Sequence, residues 1–325
     1  MIKLACKICG NDARNTIIHT MERMLGLYDP FDYLECSACG CVQLIDIPAD
    51  MQRYYPQDTY YSFNGKQELD GSTFSFSKWI RRIQAEYKLY DKRKLPGWLC
   101  CLGYTTPGIY HYLRKINAQY DTAILDIGCG NGELLFRLRE IGFKDLTGAD
   151  PFLDKDIRVP GITIFKCDVF GLSGKYDLIM MNHAFEHMDE PAAVLKKARD
   201  LLTDKGCLMI RVPVSDAYCW QAYREYWAPL DPPRHFYIYS TRSMDILASK
   251  TGFFIKELLH DATAFQFWGS EQYIKGIPLI AENSYDRNKS KSIFSKAQIR
   301  DYRARIAALN KSLLGGDAVF FLYKK

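Results

Sequence analysis

The chain has 325 residues, which is enough for two domains. Hydrophobic residues make up 48% of it and charged residues 25%, values that are ordinary for a soluble globular protein. The net charge of +5 permits nucleic acid or an anionic membrane surface as a partner but favours neither. Because eleven cysteines occur without the apolar run of a signal peptide at the start, we predict a cytoplasmic protein, in which paired cysteines indicate a metal before a disulfide.

Two short cysteine motifs begin the chain. Cys6 and Cys9 form the first and Cys36 and Cys39 the second, and each motif reads C-x-x-C-G. A turn of this kind directs both thiolates toward one point, and four thiolates complete the tetrahedral shell of a structural zinc ion. The metal would stabilise a segment of ~50 residues that is too small to build a large core. We therefore predict a zinc ribbon over residues 1–48.

Residues 49–119 are predicted to be an aromatic lid followed by a basic helical linker. The first part is rich in tyrosine, and turn residues interrupt it at Pro56 and at Asn64-Gly65. It is either an ordered connector or a lid that contacts the cofactor or the substrate. The tyrosines concerned are Tyr54, Tyr55, Tyr60 and Tyr61.

A basic amphipathic helix is predicted over residues 78–94. Aromatic and apolar side chains recur there at helical spacing, namely Trp79, Ile83, Tyr87 and Tyr90. The helix either packs on the catalytic domain with a solvated basic face or attracts the phosphates of a nucleotide-sugar, a lipid-linked glycan or a membrane. The apolar run WLCCLGY that follows favours a lipid, so residues 78–104 are a candidate for peripheral membrane association.

The stretch TAILDIGCGNGELLF organises the rest of the chain. Residues 123–126 predict a buried parallel strand, and residues 133–140 predict a helix. Between them lie Gly128, Gly130 and Gly132, which can adopt positive φ and let the backbone approach a ligand closely. A strand, a glycine loop and a helix N-terminus together indicate a nucleotide-binding turn.

The residues after the loop exclude two common nucleotide motifs. A P-loop requires Lys and then Ser or Thr after its last glycine, but Glu133 and Leu134 follow Gly132. The dinucleotide fingerprint requires Gly or Ala where Glu133 stands, and a carboxylate there repels a pyrophosphate. The phrase LDIGCGNG instead resembles the first motif of class I S-adenosylmethionine-dependent methyltransferases. In that family the glycines pass under the amino-acid end of the cofactor, so the resemblance implies S-adenosylmethionine. Related enzymes also place a segment over the pocket, which supports the lid interpretation.

Strands and helices alternate from residue 120 to the end of the chain. Further strands are predicted at residues 145–149, 162–167, 176–181, 207–212, 251–259 and 318–323. This pattern predicts an α/β fold with a doubly wound, mostly parallel seven-stranded sheet, the Rossmann-like methyltransferase fold. The resemblance implies that the final strand is antiparallel. Insertions at residues 214–239 and 261–316 interrupt the scheme, and the second contains a helix that either covers the sheet or forms a dimer seam.

Acidic residues follow the first strands of the predicted sheet. In an open α/β sheet, ligands bind beyond the carboxyl ends of the strands, and an acid at the end of the second strand accepts hydrogen bonds from ribose hydroxyls. Asp150 occupies that position, and Asp126 ends the first strand. The resemblance implies that Asp168 binds the adenine amino group and that Asn182 and His183 line the cofactor. With the three glycines, these residues form the predicted cofactor site.

Methyl transfer to a hydroxyl requires a base, and histidine is the usual one at neutral pH. His235 is the first candidate, because Pro232 and Pro233 stiffen the segment before it. Arg234 is predicted to hold a phosphate or carboxylate of the acceptor, together with the lid tyrosines Tyr60 and Tyr61. The second candidate for the base is the pair formed by Glu186 and His187.

The ribbon and the phrases DPPRHF and FWGSEQY together resemble bacterial methyltransferases of surface-polysaccharide and deoxysugar pathways. These include sugar C-methyltransferases with an N-terminal zinc ribbon. Because this chain is shorter at its C-terminus than those C-methyltransferases, we predict O-methylation of a sugar, carried by a nucleotide or by a lipid. C-methylation and N-methylation stay open, as do the identity of the acceptor and the oligomeric state.

Two other functions compete with this prediction. The first is an rRNA or tRNA methyltransferase that grips RNA with its zinc ribbon. Against it, the loop after the fourth strand reads NHAFEH rather than an Asn-Pro-Pro-aromatic run, and basic residues of the ribbon are balanced by acidic ones. The second is a non-catalytic scaffold that binds the cofactor. The complete set of cofactor acids disfavours it.

Overall fold

The structure is a computed structural model, and it describes residues 4–56, 76–103 and 107–325. Tyr60 and Tyr61, which were predicted to contact the acceptor, lie outside the described residues. The described chain divides into two compact units. They consist of residues 4–56, 181–199 and 208–325 for the first unit, and of residues 76–103, 107–180 and 200–207 for the second.

The strands alternate with helices over most of the chain. The strands are β1 (Thr16–Met21), β2 (Pro30–Glu35), β3 (Val42–Leu44), β4 (Ile124–Ile127), β5 (Leu146–Ala149), β6 (Ile157–Val159), β7 (Ile162–Phe165), β8 (Tyr176–Asn182), β9 (Leu202–Pro213), β10 (Tyr237–Ile238), β11 (Phe253–His260) and β12 (Asp317–Lys324). The helices are α1 (Phe76–Tyr90), α2 (Lys94–Gly103), α3 (Ile109–Lys115), α4 (Glu133–Ile141), α5 (Pro191–Leu201), α6 (Tyr218–Tyr223), α7 (Thr241–Lys250), α8 (Phe265–Ile274) and α9 (Lys296–Lys311).

The large sheet has the strand order β11-β12-β9-β8-β4-β5-β7-β6. Its centre is parallel, since β4 pairs in parallel with β5 and β8, and β5 with β7. The last strand, β12, is antiparallel to both of its neighbours, as the resemblance implied. This is the Rossmann-like methyltransferase fold. The sheet has eight strands rather than the predicted seven, because β6 adds a three-residue antiparallel edge beside β7 that is too short to show a hydrophobic pattern.

A second, smaller sheet belongs to the first unit. Its order is β1-β2-β3-β10, so strand β10 from the 214–239 insertion pairs with β3 of the cysteine ribbon. The pairing extends beyond the strands, because the Leu44 N–H donates to the Phe236 carbonyl at 2.8 Å. The Tyr33 hydroxyl donates to the carbonyl of His235 at 2.7 Å. The segment around His235 is therefore held by the ribbon.

Two helices differ in detail from their predictions. In α1 the buried face is formed by Ile80, Ile83, Gln84, Ala85 and Leu89. Trp79, which was predicted to lie on this face, is exposed. In α9, Ile299, Tyr302 and Ile306 enter the apolar cluster that contains Trp220 and Trp227, which favours the role of cover over that of a dimer seam. No helix of the described ranges is long and apolar enough to cross a bilayer.

Candidate functional site

The four predicted zinc ligands meet in the first unit. Cys6, Cys9, Cys36 and Cys39 offer sulfur atoms that all lie within 4.8 Å of one another. The turns form as predicted, since each glycine N–H after the second cysteine of its motif donates to the carbonyl of the first at 2.8 Å. Both glycines have positive φ, +84° for the first motif and +74° for the second.

The spacing of these thiols fits a tetrahedral metal. The Sγ atoms of Cys6 and Cys39 are 3.6 Å apart, and those of Cys9 and Cys36 are 3.5 Å apart. Zinc–sulfur bonds of about 2.3 Å give a tetrahedron with edges of roughly 3.8 Å, so small outward shifts would admit the ion. The Asn11 side-chain amide lies 3.8 Å from the Cys36 sulfur and can donate to a thiolate. The cluster is therefore a candidate metal centre.

The glycine loop of the second unit has the backbone shape that a bound ligand requires. Gly128, Gly130 and Gly132 have φ values of +74°, +54° and +79°. A Cβ at Gly132 would lie 2.2 Å from Cδ1 of Ile164, so any other residue would have to move the end of that side chain and also adopt a strained φ. The loop leads from β4 into α4, and the first N–H of that helix, on Glu133, donates to the Asn131 side chain at 3.1 Å. These features fit the amino-acid end of S-adenosylmethionine, whose sulfonium would supply the methyl group.

Asp150 supports this loop directly. Its Oδ2 accepts the Gly130 N–H at 2.9 Å and its Oδ1 accepts the Phe152 N–H at 2.9 Å. The carboxylate is buried, and each oxygen has one lone pair left for a ribose hydroxyl. Asp126 is also buried in this unit. The sequence predicted a ligand at Asp150 but not its second role, which is to fix the glycine loop.

Asp168 caps the short 3-10 turn that follows β7. Its Oδ1 accepts the N–H groups of Phe170 and Gly171 at 2.9 and 3.1 Å. Its other oxygen is not needed for this cap and can accept a hydrogen bond from a ligand. Asn182 and His183, the other predicted cofactor residues, belong to the first unit. The binding of cofactor by these three residues stays a prediction.

His235 is buried in the first unit in a defined tautomer. Its Nδ1 lies 2.8 Å from the carbonyl of Pro229, and because a carbonyl can only accept, Nδ1 carries the proton. The Nε2 lone pair then faces two carboxylates, 3.9 Å from Glu186 Oε1 and 4.0 Å from Asp231 Oδ2. Burial and the neighbouring His187 lower the pKa of His235 to about 4, so the ring is neutral at neutral pH.

Glu186 is a fully buried carboxylate at the centre of three imidazoles. Burial opposes its charge, but a hydrogen bond from His183 and the proximity of His187 and His235 outweigh burial and lower the pKa of Glu186 to about 2. Its Oε1 lies 3.3 Å from Nδ1 of His183. Among the residues that the structure describes, none forms a hydrogen bond with its Oε2. A buried, ionised oxygen of this kind stabilises a positive charge that forms nearby.

His187 is oriented in the same way as His235. Its Nδ1 lies 2.7 Å from the Arg234 carbonyl and is therefore protonated, which leaves Nε2 as the acceptor. The Tyr55 hydroxyl lies 3.2 Å from the same Nδ1. The rings of His187 and His235 are 4.7 Å apart. Of the lid tyrosines, Tyr55 thus contacts this cluster, whereas Tyr54 is buried and donates to Asp29.

Arg234 does not have the predicted position of an acceptor-binding residue. Its side chain is fully buried, and its donors are used by Asp231 at 2.8 Å, by Glu22 at 2.9 Å and by the Tyr54 carbonyl at 3.2 Å. These partners leave no free face for a phosphate or carboxylate. Arg234 instead neutralises the carboxylates of Glu22 and Asp231 and holds the backbone next to His235 in place.

His183 is likewise engaged within the first unit. Its Nδ1 faces Glu186, and its Nε2 lies 2.6 Å from a guanidinium nitrogen of Arg211. Arg211 is itself paired with Asp261 at 2.8 Å. Burial opposes the charge of the ring, but the hydrogen bond with Glu186 raises the pKa of His183. Both ring nitrogens thus serve the orientation of Glu186.

Residues 101–258 match the family model described as "Methyltransferase domain". This match covers the glycine loop, the three acids Asp126, Asp150 and Asp168, and the Glu186–His187–His235 cluster. Residues 101–258 are an S-adenosylmethionine-dependent methyltransferase domain.

The methyltransferase domain has relatives among characterised proteins. The chain is 25% identical over 159 residues to the tRNA U34 carboxymethyltransferase of Aliarcobacter butzleri, covering 45% of this chain and 50% of the relative. It is 26% identical over 121 residues to the mitochondrial ubiquinone biosynthesis O-methyltransferase of Saccharomyces cerevisiae, covering 33% of this chain and 38% of the relative. The chain thus spans half or less of the length of these relatives. Among solved structures, a SAM-dependent methyltransferase from Archaeoglobus fulgidus is 19% identical with a TM-score of 0.40, covering 74% of this chain and 97% of that one.

Three functional neighbours of the cluster were missed at the sequence level. Asp231 lies only four residues before His235, and this spacing could have indicated that its carboxylate lies near the histidine ring. Glu22 and Arg211 gave no local signal, because their partners Arg234 and His183 are far away along the chain.

Proposed function

We propose that the protein transfers a methyl group from S-adenosylmethionine to a hydroxyl of a sugar, carried by a nucleotide or a lipid, in surface-polysaccharide biosynthesis. The observation that carries the O-methyl assignment is the arrangement of His235. Its Nδ1–H is held by a carbonyl, and its Nε2 lone pair is flanked by Glu186 and Asp231. A thiolate or free amine acceptor would not need such a base.

The reaction follows from these roles. The acceptor hydroxyl gives its proton to Nε2 of His235 as its oxygen attacks the methyl carbon. S-adenosylmethionine, when bound, would supply the methyl group to this oxygen and would keep the electron pair of its sulfur–carbon bond as S-adenosylhomocysteine. The imidazolium that results is stabilised by the carboxylates of Glu186 and Asp231. His187 lies next to this position, and its role would be to orient the acceptor.

The sugar assignment is supported by the resemblance of the ribbon and of the DPPRHF and FWGSEQY phrases to surface-polysaccharide methyltransferases. The similarity to an O-methyltransferase of ubiquinone biosynthesis agrees with an oxygen acceptor. We also propose that zinc occupies the four-cysteine cluster. Its proposed role is structural, since four thiolates leave no open position for a substrate.

Methylation of tRNA is the second candidate, because one relative is named a tRNA U34 carboxymethyltransferase. A tRNA enzyme would need a basic surface for phosphates. In the ribbon, Arg23 is buried, and Asp29, Asp32 and Glu35 offset the other basic residues. This charge balance disfavours the ribbon as the part of the protein that would grip RNA.

The test is transfer of label from methyl-labelled S-adenosylmethionine to three acceptor pools, namely nucleotide-sugars, lipid-linked glycans and bulk tRNA. We expect label in a sugar as an alkali-stable ether. If label instead appears in tRNA, is released by ribonuclease and falls steeply as salt is added, the acceptor is RNA and not a sugar. Glu186, His187 and His235 could also hold a metal ion. If activity requires added magnesium or manganese, these residues are metal ligands and His235 is not the base.

A further inference from the structure

Helix α2 exposes an apolar stripe along its length. Leu95, Trp98, Leu99 and Leu102 follow the i, i+3, i+4, i+7 spacing that places side chains on one helical face. Their exposed fractions are 68%, 49%, 53% and 67%. An apolar face with this spacing normally packs on a core. A contiguous exposed patch of such side chains marks a surface that binds something.

The stripe is not the packing face of α2. That face lies against α1, where a Cβ at Gly97 would meet Cβ of Tyr87 at 2.3 Å. The Gln84 side-chain amide of α1 donates to the carbonyl of Cys100 at 2.9 Å. The glycine therefore permits close contact of the two helices, and α2 is held without using its stripe.

The segment that leads into the stripe carries excess positive charge. Residues 78–94 contain seven basic residues and two acidic ones, Glu86 and Asp91. Glu86 lies 2.5 Å from Arg93 and 3.6 Å from Arg82, and Asp91 lies 3.5 Å from Lys94. Lys78 and Arg81 also pair with Glu140, at 3.8 and 2.8 Å. Even with Glu140 included, the basic residues of 78–94 outnumber the acids, and α2 itself contains no acid. The combination of an apolar face with excess positive charge is complementary to anionic lipid, which offers acyl chains below a layer of phosphates.

We propose that α2 binds the surface of an anionic lipid bilayer, with its stripe at the headgroup–acyl boundary and the basic residues of 78–94 at the phosphates. The helix has ten residues, roughly 15 Å in length, so it lies on the membrane rather than across it. Trp98 is central in the stripe, and tryptophan prefers the interfacial layer. The binding is independent of which acceptor is methylated.

The experiment is co-sedimentation of the full chain with vesicles of phosphatidylcholine alone and with vesicles that contain 30% phosphatidylglycerol. We expect binding to the anionic vesicles that weakens as salt is added. The double variant Leu95→Asp/Leu99→Asp should lose binding at least tenfold. The matched control is Ile293→Asp/Leu313→Asp, which places the same charges at two exposed apolar positions of the first unit. It should bind as the wild type does.

A second variant tests the charge. Lys92→Gln/Lys94→Gln should weaken binding to anionic vesicles several-fold while leaving any binding to neutral vesicles unchanged. Equal binding to both vesicle types, or full binding by the Leu95/Leu99 variant, would overturn the proposal. A wild-type dimer in light scattering that the same Leu95/Leu99 variant converts to a monomer would assign the stripe to a second copy instead. Methyl transfer to a soluble acceptor should be unaffected in both variants.

Discussion

The Nε2 atom of His235 lies 3.9 Å from Oε1 of the fully buried Glu186. The distance is too long for a hydrogen bond, but it is short enough for a strong interaction between charges in a buried site. His235 is neutral at rest, with a pKa of about 4. In the neutral ring, the Nε2 lone pair and the Glu186 carboxylate repel each other. Protonation of Nε2 would replace this repulsion by the attraction of an ion pair.

His235→Gln should keep cofactor affinity and lose roughly 10²–10⁴-fold in rate, because glutamine cannot accept a proton at neutral pH. The wild-type rate should fall in acid with a midpoint near pH 4, not near the ordinary imidazole value of 6.5. Stopped-flow or discontinuous methyl-transfer assays over pH 3.5–8 measure both. His19→Gln, at an exposed histidine of β1, is the control.

His187→Gln should cost less rate than His235→Gln, because we assign to His187 the orientation of the acceptor rather than the uptake of its proton. Comparison of kcat for the two variants tests this order. The reverse order would make His187 the base. Small losses in both would mean that the acceptor is already nucleophilic, and the O-methyl assignment would then be abandoned.

Glu186→Gln should change how the free energy of unfolding depends on pH between about pH 2 and 4.5. The carboxyl has a pKa of about 2 in the folded protein against an ordinary 4.5, so its contribution is complete above pH 4.5 and is lost as pH falls toward 2. That contribution is at most about 3 kcal/mol. Urea titrations should show a flatter slope for Glu186→Gln in this window, and the exposed Glu282→Gln should behave like wild type.

The same urea titrations distinguish the contribution of His235 to the pH dependence of stability from that of Glu186. Its pKa is lowered to about 4, so the unfolded chain binds more protons than the folded one between pH 4 and 6.5, and stability falls as pH drops through that range. His235→Gln should remove this part of the slope, and it should also make the lower window smaller, because His235 helps to lower the pKa of Glu186. A slope that is identical to wild type between pH 4 and 6.5 would mean that the folded-state pKa of His235 is not lowered.

Arg234→Met should lower the free energy of unfolding by about 3–5 kcal/mol, because it leaves Glu22 and Asp231 buried without their cation. Arg53→Met removes a partly exposed partner of Asp29 and should cost less than about 1 kcal/mol. Chemical denaturation of the two variants makes the comparison. Similar small costs would indicate that Arg234 is accessible to a ligand after all.

Asp150→Ala should weaken S-adenosylmethionine binding by about 1.5–3 kcal/mol for each charge-assisted bond that it removes. Part of the loss comes from the glycine loop, since Gly130 also loses its acceptor. Calorimetric titration against the exposed control Asp145→Ala measures the effect. Unchanged affinity would remove Asp150 from the cofactor site.

Cys36→Ser should release one zinc ion per chain and loosen the ribbon, since structural zinc couples binding to local folding. Metal analysis of protein purified without chelator measures the ion, and Cys100→Ser is the control. The absence of zinc from the wild-type protein would contradict the proposal. We expect cofactor affinity to survive, because the glycine loop has its own core in the second unit.

Local signals predicted the fold and the shape of the glycine loop well. The phrase LDIGCGNG places β4, the glycines and α4 within a few residues, because each depends on contacts near in sequence. The cysteine motifs were also local, and the structure gathers their sulfur atoms. The parallel order of strands followed from their alternation with helices.

The environment of Arg234 could not be predicted, because its partner Glu22 is distant in sequence. An arginine beside a candidate base looks like a ligand residue unless its burial is known. Trp79 was placed on the buried face of α1 because aromatic residues usually are buried there. The β3–β10 pairing was also invisible, since a two-residue strand has no periodicity.

The pairing of β10 with β3 has a consequence for any attempt to recombine this protein. The ribbon holds the His235 segment through the Tyr33 hydroxyl, which donates to the His235 carbonyl, and through main-chain pairing from Phe236 onward. Phe236 also donates its N–H to the Glu186 carbonyl at 2.8 Å. A chimera that exchanged residues 1–48 alone would break this register and misplace the base. Ribbon and insertion therefore form one structural unit, so a change that unfolds the ribbon should also displace His235.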